Sequence, residues 1–321
     1  MFEIISHKTN INFVGRRHIF ISLSIIAVIA TIVLLFTKGL NYGIDFKGGA
    51  EVQIHFSEDM DVGSLRKDLE DAGLRHLTIQ ALGTDGKTGN REFLAKMGVE
   101  DSNLQKVGDR VEQALLAKMP KEKFEVQRVD VVGPQAGEQL RKSGFLSMLY
   151  ALLCIFIYVA IRFDSRYSPG AVMALVHDSF ITLGIFVITQ KEFSLQILAA
   201  ILTIIGYSNN DTIIVFDRVR ETLRNFPNKS LEENVNRSIN ETLGRTILTS
   251  LCTFLVTAAL YVFGGGVIRD FAFTMSIGIV VGTYSSIFIA SPILIYIAHW
   301  QERRAGKAQT GRSLSPASAK L

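Results

Sequence analysis

Six stretches carry apolar residues almost without interruption: 19–36, 144–161, 169–188, 195–216, 246–263 and 271–298. A helix rises about 1.5 Å per residue and a bilayer core is about 30 Å thick, so roughly 20 such residues span it. Each stretch is therefore predicted to be a transmembrane helix. Between the first and second stretches the pattern changes. Val52, Ile54 and Phe56 alternate with period two, so 50–56 reads as a strand. Val62, Leu65, Leu69 and Ala72 follow at spacings of three and four, which predicts a helix over 62–72. A second strand over 74–82, the turn residues Gly83-Thr84-Asp85-Gly86 and a third strand over 92–97 come next. Residues 104–119 return to the helical period until Pro120, and 124–132 is a fourth strand. The order β-α-β-β-α-β predicts a ferredoxin-like α+β domain. The fold class is thus a membrane α-helical bundle of six transmembrane helices with one extracytoplasmic α+β domain over 37–143.

Lys and Arg fix the expected orientation. Sixteen fall in the N-terminal segment 1–18, the loop after the second stretch, the loop 217–245 and the tail 299–321; only Lys191 and Arg269 fall in the two short loops on the other side. Both termini are therefore expected in the cytoplasm, with a multi-pass chain in a bacterial inner membrane. The external segment 38–142 carries 16 basic and 18 acidic residues, so it is no nucleic-acid binder. The net charge of +4 sits at the cytoplasmic edges and suits anionic lipid. The first stretch follows Arg16-Arg17 as a signal sequence would. It is long for one, and Phe36-Thr37-Lys38 is no small-residue cleavage site, so a retained helix is expected.

In the loop 217–245, Ser230 and Glu233 form a capping-box pattern. Leu231, Val235, Ile239 and Leu243 then make a stripe that could lie on the membrane or pack under the bundle. The tail after Trp300 is polar and is expected to be disordered. Cys154 and Cys252, both in apolar stretches, are expected to be buried small side chains.

Ionisable groups inside a bilayer cost about 2.5–3.5 kcal/mol each on insertion scales, and they usually face a bundle interior or an ion path. The third stretch holds His177-Asp178, readable as interhelical glue or as part of a transport path. The fourth holds Ser208-Asn209-Asn210-Asp211-Thr212, five polar residues that cover every helical face, so some must meet a partner helix or water. Gly206 just before them permits close approach of another backbone. The fifth begins at Arg245 and carries Thr246, Thr249, Ser250, Thr253 and Thr257, mostly on one face, as interhelical hydrogen bonding requires. Read alone, Arg245 snorkels to phosphate. The sixth has Gly278 and Gly282 for close packing and Pro292 for a kink. There is no Walker loop, Ser-His-Asp set or metal spacing. No enzyme activity and no cofactor are expected, and work must draw on a gradient, where one charge crossing 100 mV yields about 2.3 kcal/mol.

These residues, in this order, resemble the SecD/SecF family of bacterial protein-export membrane components. The likeness rests on Gly43-Ile44-Asp45-Phe46-Lys47-Gly48-Gly49, on Val131-Val132-Gly133-Pro134 and on His177-Asp178. It rests further on Asn210-Asp211-Thr212 with Val215-Phe216-Asp217-Arg218-Val219-Arg220-Glu221, and on Asn240-Glu241-Thr242 with Arg245-Thr246. The family belongs to the resistance-nodulation-division transporter class, and a six-helix member is similar to half of such a transporter. The resemblance implies a SecD partner for the other half, the SecYEG channel and YajC nearby, and pre-proteins as clients drawn outward by the proton-motive force. It implies a proton relay at Asp211 with Arg245 as its cation. His177, Asp178, Ser208, Asn209, Asn210 and Thr212 would be polar support, and Gly43, Asp45, Phe46, Gly48 and Gly49 would shape the way into the external domain. Position 209 departs from the family, which carries an apolar residue there; the amide would widen a polar path or hydrate Asp211. Two other readings remain open, an exporter of small molecules or lipid and a non-transporting scaffold.

Overall fold

The computed structural model describes residues 10–74, 77–82, 91–98, 106–163 and 166–313, with side chains to 304. The predicted Gly83–Gly86 turn and the start of the predicted 104–119 helix lie outside the described residues. Helix α1 (Arg17–Thr37) leads to a four-residue helix α2 (Ile44–Lys47) and then to the external domain. That domain runs β1 (Gly49–Phe56), α3 (Val62–Asp71), β2 (Thr78–Ala81), β3 (Glu92–Met97), α4 (Val107–Leu116) and β4 (Phe124–Val132). The antiparallel sheet has the order β2-β3-β1-β4. Its core is the period-two face of β1 (Val52, Ile54, Phe56) packed against Phe93 and against the helical stripes Leu65, Leu69, Val111 and Leu115. Asp61 caps α3 by accepting the Ser64 N–H at 3.0 Å.

Five helical segments follow: α5 (Pro134–Arg162), α6 (Ser168–Thr189), α7 (Leu195–Asn225), α8 (Leu231–Phe263) and α9 (Gly266–Ser285). One π turn (Ser286–Ala290) then joins α9 to α10 (Ser291–Ser313). Six spans among the described residues are long and apolar enough to cross a membrane. In α6, α7 and the last span more than half of the apolar window is buried, whereas α1, α5 and α8 turn most of theirs outward. The bundle is therefore a central triplet with an outer ring.

Several boundaries differ from the sequence reading. The second span begins at Pro134, not at 144: proline suits the first helical turn, and the polar residues after it extend the helix out of the membrane toward β4. The surface helix expected in 217–245 and the fifth span are one 33-residue helix, because Gly244 alone does not stop a helix packed on its neighbours. Ser230 does cap it, accepting the Glu233 N–H at 3.2 Å. The stripe Val235, Ile239 and Leu243 packs under the bundle against Val215, Phe216 and Val219 of α7, so burial rather than membrane contact decides its place. Of the tail expected to be disordered, residues 301–313 continue α10, and 314–321 lie outside the described residues. Cys154 and Cys252 are exposed on the outer ring, where a thiol facing lipid needs no partner. At the kink expected from Pro292, the π turn immediately before it absorbs the lost N–H, and the Ser291 hydroxyl donates to the Ser286 carbonyl at 3.0 Å.

Close packing in the central triplet depends on α9. A Cβ at Gly278 would collide with Ile204 of α7, and one at Gly282 would stand 2.9 Å from the Ser208 Cβ. The external domain is latched to the α6–α7 loop. Lys96 of β3 donates to Glu192 at 2.6 Å and pairs with Glu51 at 3.4 Å. Burial pulls the Lys96 ammonium down, but the hydrogen bond and charge of Glu192, with Glu51 adding to them, outweigh it, so Lys96 titrates above the ordinary lysine value. Burial pushes Glu51 up, and Lys96 only partly pulls it back. The folded state thus favours charged Lys96, a contribution present through neutral pH and lost as pH rises past its raised value. It also favours protonated Glu51, a contribution present in acid and lost as pH rises through its own raised value.

Glu192→Gln is accordingly expected to loosen the domain at neutral pH, by roughly 1–2 kcal/mol given partial exposure of a pair whose fully buried form is worth 3–5. Glu51→Gln should leave the latch intact or tighten it. Hydrogen exchange at the amides of β3 and Phe193 reads both.

Candidate functional site: two buried carboxylates in the central triplet

Asp178 lies on α6 and is fully buried. Helical spacing turns Ser208 of α7 and Ser285 of α9 toward it. Their hydroxyls donate to one carboxylate oxygen at 2.6 and 2.8 Å, while the His177 Nδ1 stands 3.1 Å from the other. A carboxylate with donors on both oxygens is well satisfied for a buried charge. The His177 ring lies against Tyr284, whose hydroxyl pairs with Ser24 at 2.9 Å and donates to the Phe20 carbonyl of α1 at 3.1 Å. One polar chain therefore crosses α7, α6, α9 and α1.

Asp211 sits one turn beyond Ser208 on the same helix and is also buried. It is held quite differently. Among the described residues its one hydrogen bond comes from the Ser250 hydroxyl of α8, at 3.3 Å. Ser250 in turn receives the Thr283 hydroxyl of α9 at 2.7 Å. Two further polar atoms, Asn209 Oδ1 on α7 and Thr246 Oγ1 on α8, are buried without a hydrogen-bond partner among the described residues. Thr212 pairs with Ser286 in the π turn at 3.0 Å, and Ser286 also faces the Ser208 carbonyl at 3.5 Å. Hydroxyls donate and accept at once, so each of these contacts can reverse its direction without moving a helix.

Arg245 is exposed on α8. Its charge acts on Asp211, but no direct ion pair joins the two in this conformation. Asn210 is likewise exposed, and among the described residues no atom from another helix lies within 4 Å of where a Cβ on Gly206 would be. His177, Asp178, Ser208, Asn209, Asp211 and Thr212 thus converge inside the triplet, while Asn210 and Arg245 lie on an outward face of α7 and α8. Further toward the end of α7, Arg218 and Arg237 clamp the Glu241 carboxylate from two sides, at 2.6 and 2.8 Å, and tie α7 to α8.

The glycine-rich stretch forms a second constellation. Ser194 gives α7 no side-chain cap; Asp45 accepts the Leu195 N–H at 2.8 Å instead, from 150 residues away. Its charge also suits the positive end of the helix. Phe46 is buried and stacks on Phe193 with centroids 5.7 Å apart. Gly43 donates to the Phe193 carbonyl at 2.8 Å. Gly48 and Gly49 have φ of +81° and +149°, and a Cβ on Gly49 would strike the Met97 carbonyl. Asp45 thus joins the N-terminus of the Asp211 helix to the root of the external sheet.

Residues 111–300 match the profile described as "Protein export membrane protein SecD/SecF, C-terminal", and residues 33–60 match the SecD/SecF GG motif. The chain belongs to the SecD/SecF family. It is 43% identical over 304 residues to a protein translocase subunit SecF of Calditerrivibrio nitroreducens, covering 94% of this chain and 98% of that one. It is 40% identical to the corresponding subunit of Pseudomonas aeruginosa, over 89% of this chain and 91% of that one. The crystal structure of SecDF from Thermus thermophilus superimposes with a TM-score of 0.77 at 34% identity, over 92% of this chain. This chain spans only 39% of that SecDF chain. Both carboxylates and Arg245 fall inside the SecD/SecF C-terminal match, and Asp45 with Gly48 and Gly49 falls inside the GG-motif match.

The sequence reading of this SecD/SecF member missed Thr283, Ser285, Ser286 and Tyr284. For Ser285 and Ser286 a signal was available: with Gly278 and Gly282 they continue one small-residue face at spacings of three and four.

Asp178→Ala is expected to strand the buried Ser208 hydroxyl, while Ser285 keeps the Gly282 carbonyl at 3.1 Å, and to cost roughly 1–3 kcal/mol. Asp178→Asn keeps acceptor capacity and should cost less. Thermal unfolding of the detergent-solubilised protein checks the order.

Proposed function

We propose that this chain is the SecF-type subunit of a protein translocase. It works with SecD to couple the proton-motive force to outward movement of pre-proteins leaving the SecYEG channel, with YajC as an accessory neighbour. The observation that carries the proton-coupled part is the contrast between the two carboxylates. Asp178 is saturated with donors, whereas Asp211 is buried behind a single long hydrogen bond with an exposed cation nearby. A satisfied carboxylate holds helices together. An under-satisfied one can bind and release a proton within a cycle.

Ionised, Asp211 attracts Arg245; protonated, it releases it. Two arrangements of α7 against α8 would alternate as protons pass. The Asp45 cap on α7 supports a direct route from that motion to the external domain, which we read as ferredoxin-like from its element order and its sheet order. The sixteen-to-two split of basic residues supports an inner-membrane orientation with both termini in the cytoplasm. Lipid cannot satisfy Asn210 and Arg245, so this outward polar face, with open space at Gly206, supports SecD as its cover.

Asp211→Asn keeps size and hydrogen bonding but removes titration. It should insert and associate with SecD normally, yet lose the gradient-dependent stimulation of export measured in inverted vesicles. Arg245→Met should behave likewise. Export that responds fully to the gradient at equal expression would leave only a scaffold. Cysteines at Thr203, Gly206 and Asn210 should cross-link to a SecD helix, and labelling of these positions only by lipid probes in the assembled complex would count against the partnership.

A further inference from the structure

On the α5 side of α6, opening outward from the helix face next to Asp178, α5, α6 and the start of α7 line an apolar cavity of about 320 Å³. It lies within the small-ligand range of about 300–1,000 Å³. Its floor is Leu198, and its walls include Met148 and Leu152 of α5 and Leu183 of α6. The wall residue Ser179 is already satisfied, its hydroxyl donating to the Leu175 carbonyl at 2.9 Å. Gly144 makes the depth possible, since a Cβ there would stand 2.5 Å from Leu198.

The cavity has a direction. Its lining on α5 runs from Arg141 to Leu152, about 16 Å of helix, or one leaflet of a core about 30 Å thick. Its outer end lies where α1 and α6 leave the membrane and α7 enters it, beside Tyr42 and Phe193, aromatics of the kind found at bilayer interfaces. Its flank carries the exposed Phe145 and Leu149. At the mouth, Arg141 lies 5.9 Å over the Tyr42 ring. Its neighbour Lys142 is paired with Glu138 at 2.9 Å, but no carboxylate forms a salt bridge with Arg141 among the described residues. A dry slot one leaflet deep, with a cation at the headgroup level, matches one kind of molecule.

We infer that this cavity is a binding site for an outer-leaflet phospholipid, one acyl chain lying between α5 and α6 and the phosphate resting on Arg141. The bound chain fills the gap between α5 and the central triplet beside Phe46, and so braces the root of the external domain. The inference rests on the membrane-spanning arrangement and not on proton coupling.

The test uses the full chain, purified with its partner and returned to vesicles containing phosphatidylglycerol with a photoreactive acyl chain. Labelling should concentrate on Met148, Leu152 and Leu183. Ser179→Phe, which fills the cavity, should abolish that labelling and spare the background at the outward residues Ile161 and Phe263. Arg141→Gln, on the surface and so harmless to folding, should weaken it about fivefold, the ratio for roughly 1 kcal/mol from one basic residue near anionic lipid. Diacylglycerol with the same reactive chain should label wild type and Arg141→Gln equally. Labelling spread evenly over the outer helices, or unchanged by Ser179→Phe in a protein with wild-type melting, overturns the site. So does cross-linking of a client segment in place of lipid.

Discussion

The fully buried Asp178 carboxylate sets the terms for the rest of the membrane bundle. An isolated charge in an apolar interior costs several kcal/mol even after relaxation. It is tolerated here because Ser208, Ser285 and His177 meet it from three sides. Those donors arrive only if α7 and α9 come close to α6. That approach requires a bare backbone at Gly278 and Gly282, and a π turn after Ser285 that lets Ser286 face Thr212. Close packing and polar satisfaction are therefore one constraint. Lipid tails give helices no hydrophobic reason to associate, so contacts of this kind carry the assembly.

One helical turn along α7, the same chemistry is left incomplete. Asp211 shares its helix with Ser208 and its neighbourhood with α9, yet its hydrogen-bond partner is a serine on α8, an outer helix. On α8, Thr246 Oγ1, one turn from Ser250, is buried without a hydrogen-bond partner among the described residues. The bundle thus pairs a pinned centre with a loose edge.

The external domain is attached by contacts that belong to the membrane helices themselves. Asp45 terminates α7, Phe46 stacks on the loop that precedes it, and Lys96 reaches the same loop from the sheet. The Asp45 contact joins α7 to the root of the sheet directly, without passing through α1. Gly48 and Gly49 matter because β1 begins there in a backbone conformation that side chains rarely adopt, pressed against the end of β3.

Much of this was legible in the residues. Hydrophobic run length specified six spans, period-two and helical spacings specified the external elements in order, and five polar residues from Ser208 to Thr212 marked α7 as exceptional. These are local properties, and a bilayer makes them strict because an unsatisfied backbone cannot survive there. Other features needed the fold. Asp178 was equally readable as glue or as path until its three donors were in place. Arg245 was paired with Asp211 by resemblance, yet it stands exposed with no direct ion pair. The cap on α7 comes from Asp45, 150 residues earlier. The loop helix and fifth span merged because Val235, Ile239 and Leu243 found a buried surface. Local pattern decides what each segment is, since it depends on neighbours in the chain. Which donor meets which acceptor depends on helix approach, set by small residues and by distances between segments far apart in sequence, and only the tertiary structure decides that.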